Sequence, residues 1–423
     1  MKRTTGIRTA TVATVLALAT ALAGCSSKAK PEGDGGDKGA DGVKTGVGVT
    51  ADKINLGVLT DMTGVYASLG KSVTQAQQLW AKEVNGKGGI CGRTVELTVR
   101  DHGYDPQKAL AGYTELEPDV LGFVQFIGSP FVAALEDRID GKDKGLVLPQ
   151  AWSASLLGSE YIRVVGATYD IETINAVDFL LSEKRIKKGD KIGHVYFEGD
   201  FGENALAGSK YAAKKAGLTV VEQKIKPTDN DMSAQVAALK KAGVKAIVLS
   251  AGPRQAASLV GVAAAGKFNV PVIGNNSTFS PQLLKTQAGP ALTKDFYLAA
   301  SVLPIGSDEP GPAELAKKYA AAYPKDSLDQ GVVSGWTTGS LFGAVLEKAC
   351  ADKDLTREGI AKALKSFDAH DTKFGITHNF SDPALPSTRE SVIMKPDAKE
   401  KGGLKAVREA TAADEAEGFT FGG

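Results

Sequence analysis

The sequence predicts an α/β protein built as two doubly wound parallel-sheet lobes, and three observations lead there. Short β-rich apolar runs alternate with amphipathic helical stretches at the length of a strand–helix–strand crossover. Two such series follow one another along the chain. About 375 residues of globular composition remain behind a distinct amino-terminal segment, too many for one ordinary domain.

The amino terminus sets the expected compartment. Lys2, Arg3 and Arg8 precede a charge-free apolar run over 9–24, which fits the charged and hydrophobic regions of a secretion signal. That run is shorter than the roughly 20 apolar residues of a membrane span. It ends in Leu22-Ala23-Gly24-Cys25, which resembles the bacterial lipobox, so 1–25 is expected to be a lipoprotein signal with Cys25 as the acylated residue. The resemblance implies an extracytoplasmic protein held to the cell membrane by its amino-terminal lipid. Residues 26–49 are rich in Gly, Lys, Asp and Ser, bury too little apolar surface to offset their ordering entropy, and read as a flexible tether.

In the first series a strand at 54–59 leads to a helix from about 71, on which Val73, Ala76, Trp80 and Val84 share one face. A strand follows at 94–99, then a helix from Pro106 and a short buried strand at 122–127. The second series opens with a helix around Ile171, Ile174 and Leu181. Strands at 192–197, 218–225, 246–250 and 270–273 then alternate with helices at 203–216, 232–242 and 255–265. The remainder reads as a strand at 296–302, helices at 313–323, 334–350 and 356–367, and short strands near 374–380 and 390–395.

Composition removes several function classes. Lys and Arg number 50 against 49 Asp and Glu, with no basic cluster interleaved with aromatics, so nucleic acid is not an expected partner. Four histidines, His102, His194, His370 and His378, have no zinc-site spacing and fall away from the inferred cleft loops, so neither a metal nor a cofactor is expected. No Gly-x-Ser-x-Gly elbow, His-Glu-x-x-His pair or phosphate-binding glycine loop is present, which argues against an enzyme. Beyond Cys25, Cys91 and Cys350 remain for an oxidising compartment, as one disulfide or as two separate buried thiols.

Open parallel sheets bind ligands outside the carboxyl ends of their strands. The loops there, 60–70, 128–130, 150–153, 169–170, 199–201, 252–253 and 274–277, are small, hydroxylic and aromatic. That composition suits a solute with one polar or anionic group and an apolar remainder.

From Ile54 onward the chain resembles the type I periplasmic binding proteins of the branched-chain amino acid class, which serve ATP-driven importers. The resemblance is carried by Ile54-Asn-Leu-Gly-Val-Leu-Thr-Asp-Met-Thr-Gly64, Leu69-Gly70, Glu83-Val-Asn-Gly-Lys-Gly-Gly-Ile-Cys-Gly92, Asp101-His-Gly-Tyr-Asp-Pro106 and Phe201-Gly202. It implies a hinge of three crossovers, with one lobe at 50–167 plus 301–372 and the other at 168–300 plus 373–423. It further implies a monomer that binds a small solute, closes on it and delivers it to an ABC importer permease; a sensor or receptor system is the alternative partner.

The positions matching the family's binding residues are Leu69, Ser129, Ala151, Trp152, Ser153, Phe201 and Asn276. Ser129 and Ser153 would take a carboxylate, and Trp152 and Phe201 would cover the apolar part, although serines at these places also cap helices and Trp152 also suits lobe packing. Two departures weaken an amino acid as ligand: Asn276 stands where an acidic residue pairs the ligand ammonium, and Trp152 where a small residue is usual. A buried ammonium without its partner is costly. Asp170 and Asp200 are the candidates to replace that charge.

Overall fold

The structure is a computed structural model that describes residues 42–421, so the signal, Cys25 and the tether up to 41 lie outside the described residues. Two sheets organise the fold. The first holds β1 (Lys53–Thr60), β2 (Thr94–Asp101), β3 (Gly122–Phe126) and β4 (Leu146–Val147) in the order β2-β1-β3-β4, parallel throughout. Every residue of β3 is buried, as expected of a central strand covered on both faces.

The second sheet has seven strands. They are β5 (Lys191–Phe197), β6 (Thr219–Ile225), β7 (Ala246–Ser250), β8 (Val272–Gly274), β9 (Phe296–Ala300), β10 (Ser391–Pro396) and β11 (Leu404–Thr411), in the order β11-β10-β9-β8-β7-β5-β6. Neighbours from β5 to β9 are parallel, whereas β10 pairs antiparallel with both β9 and β11. The sequence reading expected parallel sheets and no strand at 404–411. The edge strand β11 is mostly exposed along its length, so it carries no apolar run to announce it. The expected strand at 374–380 is reduced to a two-residue pairing of His370–Asp371 with Thr377–His378.

The chain supplies the first sheet, then β5 to β9 of the second. It next returns as helices Gln330–Ala351 and Arg357–Lys365 to the core of the first sheet, and ends as β10 and β11. It thus passes between the sheets three times. Ser301 joins all three passages: its hydroxyl accepts from the Ala167 N–H at 2.9 Å and donates to the Glu390 carbonyl at 3.0 Å.

Helix Ala67–Gly86 packs along helix Gln330–Ala351, and the fit depends on glycine. A Cβ on Gly339 would stand 3.0 Å from Cδ2 of Trp80, and one on Gly343 would stand 2.9 Å from its Cζ2, so these glycines open the groove that the buried indole fills. Cys91 and Cys350, 6.1 Å apart at Cα, are joined as a disulfide that closes this pair of helices across 259 residues of sequence.

Candidate ligand-binding site

A cavity with about 660 Å³ of empty space lies where the carboxyl ends of the two sheets meet. Each wall is placed by a turn that leaves a strand. After β1, the buried Asp61 carboxylate accepts from the N–H groups of Gly64 and Tyr66, at 2.5 and 2.9 Å, which folds the loop back and starts helix Ala67–Gly86 four residues ahead of the expected 71. That turn aims Tyr66 and Leu69 into the cavity. After β3, Gly128 adopts φ 109°, which only glycine holds without strain, and delivers Ser129 to the wall. The second sheet contributes Phe201 beyond β5, Asn276 and Ser277 beyond β8, and Ala300 from the end of β9.

Five aromatic rings line the cavity: Tyr66, Tyr104, Trp152, Tyr169 and Phe201. Tyr66 and Tyr104 meet edge to face with centroids 5.1 Å apart, Tyr169 and Phe201 lie 4.3 Å apart, and Trp152 reaches Tyr169 at 6.0 Å. Trp152 is held in place by its indole N–H, which donates to the Val165 carbonyl at 2.8 Å. Burial raises the phenol pKa values of Tyr66, Tyr104 and Tyr169, so all three are neutral hydroxyl donors. Ser129 Oγ is buried without a hydrogen-bond partner of good geometry, although it lies close enough to the Tyr169 hydroxyl to ease the shift of that phenol.

No charged side chain lines the cavity. Behind its wall lies Glu172, whose carboxyl accepts from Nδ2 of Asn275 and of Asn276, each at 3.0 Å. Burial pushes Glu172 up to about 8, against the lowering effect of these amides. Asp170 does not line the cavity: it accepts from Thr168 Oγ1, the Ile171 N–H and Nδ2 of Asn204. Asp200, also outside it, accepts from Ser155 Oγ at 2.7 Å.

Of the residues expected at the site, Leu69, Ser129, Trp152, Phe201 and Asn276 line the cavity, and Ala151 and Ser153 do not. The segment that carries them is extended, so alternate side chains face opposite ways: Gln150 and Trp152 turn to the cavity, while Ala151 packs into the core around Tyr113. Ser153 caps the short turn Ala154–Leu156, accepting from the Ser155 N–H.

Tyr66, Tyr104, Tyr169, Gln150 and Ser277 join the site without having been singled out as binding residues. Tyr66, Tyr169, Gln150 and Ser277 fall in loops already read as cleft walls, which was the available signal. Gln330 and Ser334, at the start of a long buried helix, had none. His378, expected away from the cleft, reaches a second chamber beside this one.

Among the described residues no group of three or more His, Cys, Asp or Glu side chains could hold a metal ion, and no helix is long and apolar enough to cross a membrane.

Comparison with known proteins agrees with this architecture. The family model described as periplasmic binding protein matches residues 53–400. A solved structure titled as a fatty acid ABC transporter substrate-binding protein from Thermomonospora curvata is 53% identical, with a TM-score of 0.90, covering 91% of this chain and 98% of that one. A branched chain amino acid ABC transporter protein from Thermus thermophilus, solved with bound valine, shares the fold at a TM-score of 0.78 over 87% of this chain and 98% of its own, but only 19% of residues. The Leu/Ile/Val-binding protein homolog 8 of Brucella abortus is 24% identical over 347 residues, 75% of this chain and 81% of its own. The chain spans about half the length, 53%, of other curated relatives, such as BraC3 of Rhizobium johnstonii at 25% identity over 46% of this chain. The chain belongs to the periplasmic binding protein family.

Proposed function

We propose that this chain is the solute-binding component of an ABC importer and that its ligand is a carboxylic acid with an apolar chain. The observation that carries the reading is a cavity walled by aromatic and aliphatic surface, supplied with neutral hydroxyls and free of charged side chains. A carboxyl group seats against Ser129 Oγ and the phenols of Tyr66, Tyr104 and Tyr169, where hydrogen bonds to an ionised acceptor are stronger than neutral ones. The hydrocarbon chain runs along Trp152, Phe201 and Leu69. An α-amino acid fits poorly, because its ammonium would be buried without a counter-charge.

The relative from Thermomonospora curvata, named for a fatty acid, supports this choice. In this reading the lobes are 50–167 plus 301–372 and 168–300 plus 373–423. They close on the solute because only the closed form touches it from both sides. The protein acts as a monomer, tethered through acylated Cys25 at the outer face of the membrane, and hands its solute to the permease.

A thermal-shift series on the folded body with straight-chain acids of increasing length tests this. Each added methylene is expected to tighten binding by about fourfold until the cavity is full. Stabilisation by α-amino acids alone would refute it.

A further inference from the structure

A second, smaller chamber shares Gln150, Trp152, Asn276, Ala300, Val302 and Ser334 with the main cavity and is also lined by Thr337 and His378. Thr337 and His378 are almost wholly buried, at 2% and 1% exposure, yet Thr337 Oγ1 and His378 Nε2 have no hydrogen-bond partner. Buried polar atoms are normally satisfied, and leaving one unmade forfeits its desolvation cost. Two such atoms on residues that line one chamber leave room there for an oxygen to pair with them. The imidazole is fixed for the purpose: its Nδ1 pairs with Ser387 Oγ at 3.0 Å, and that serine accepts from the Gly166 N–H at 2.8 Å.

We propose that this chamber is a distal subsite in which Thr337 Oγ1 and His378 Nε2 hydrogen-bond a hydroxyl at the far end of the ligand's chain. The inference rests on the reading that the main cavity holds the carboxyl end. A hydroxyl is the group the chamber fits. It both donates and accepts, matching a threonine hydroxyl and a neutral imidazole in either tautomer. A second carboxylate would meet only the Thr337 hydroxyl and one imidazole nitrogen, which burial holds down at about 4 and hence uncharged at neutral pH, against the four hydroxyls grouped in the main cavity. Trp152, pinned to Val165, forms the wall common to both chambers, so a chain bound in the first passes this ring to reach the second.

The test is calorimetric titration of the full-length protein with the straight-chain acid at which the length series levels off, and with its ω-hydroxy form. The ω-hydroxy acid is expected to bind about five- to tenfold more tightly. Thr337→Val, which keeps the side chain's shape, and His378→Phe are each expected to reduce that preference while affinity for the plain acid stays near the parent value. Thr337→Val decides the matter if His378→Phe fails to fold. Equal affinity for the two acids, or an unchanged preference in folded Thr337→Val, overturns the distal subsite and leaves the main cavity's assignment standing. Failure of both acids to bind overturns both.

Discussion

The side-chain amide of Asn276, which lines the cavity, donates to the carboxyl group of Glu172 across 3.0 Å. The Asn275 amide holds the other carboxyl oxygen at the same distance. Burial outweighs both amides, so the group keeps its proton well above the usual carboxylate range. The wall therefore presents an amide at Asn276 rather than a carboxylate.

Glu172 makes stability depend on pH in a defined direction. Its folded value of about 8 lies above the unfolded value of about 4.5, so the folded state binds the extra proton between them. The contribution is fully present below about pH 4.5 and is lost as pH rises through about 8. Glu172→Gln has no such proton to lose. Thermal melts from pH 5 to 9 are expected to show the parent losing stability relative to the variant as pH rises; a constant difference between the two would show that Glu172 is ionised throughout.

Ser129→Ala removes a buried hydroxyl that makes no well-formed hydrogen bond within the protein. The melting temperature of the empty protein is expected to stay level or rise slightly, while affinity for a straight-chain acid falls by about fivefold, the value of one hydrogen bond. Calorimetry on the two proteins reads this directly, and unchanged affinity would move the carboxyl group elsewhere in the cavity.

Gly339→Leu places a side chain against the Trp80 ring, where even a Cβ would approach to 3.0 Å. Overpacking of this kind costs about 1–3 kcal/mol or more, so chemical denaturation should shift to lower denaturant with the binding preference for acids retained in the folded fraction.

Replacing Cys91 and Cys350 together by alanine releases the tie across 259 residues and is expected to cost about 2–5 kcal/mol under oxidising conditions. Reducing agent should bring the parent to the same stability and leave the double variant unaffected.

The alternation of strands and helices was legible because a parallel strand buried on both faces reads as a nearly continuous apolar run, as in β3 and β7, which carry one polar side chain each, Gln125 and Ser250. β11 was not, because an antiparallel edge strand exposes most of its side chains. The early start of helix Ala67–Gly86 escaped notice because Asp61, not the apolar period, sets it. At the site, loop membership located Ser129, Trp152, Phe201 and Asn276, but the two-residue alternation through 150–153 was not resolved by a motif, so Gln150 faces the cavity where Ser153 was expected. Tyr66 and Tyr169 were legible as loop aromatics, Tyr104 was not, and the three became a hydroxyl cluster only once the sheets brought them together.

The proposed function requires that this cavity accept a carboxyl group on an apolar chain and exclude an ammonium. Titrating the protein with one straight-chain acid and with its 2-amino derivative, matched in carbon number, tests it most directly. The acid is expected to bind at least about a hundredfold more tightly, the penalty for burying an unpaired charge. Tighter binding of the 2-amino derivative would contradict the account.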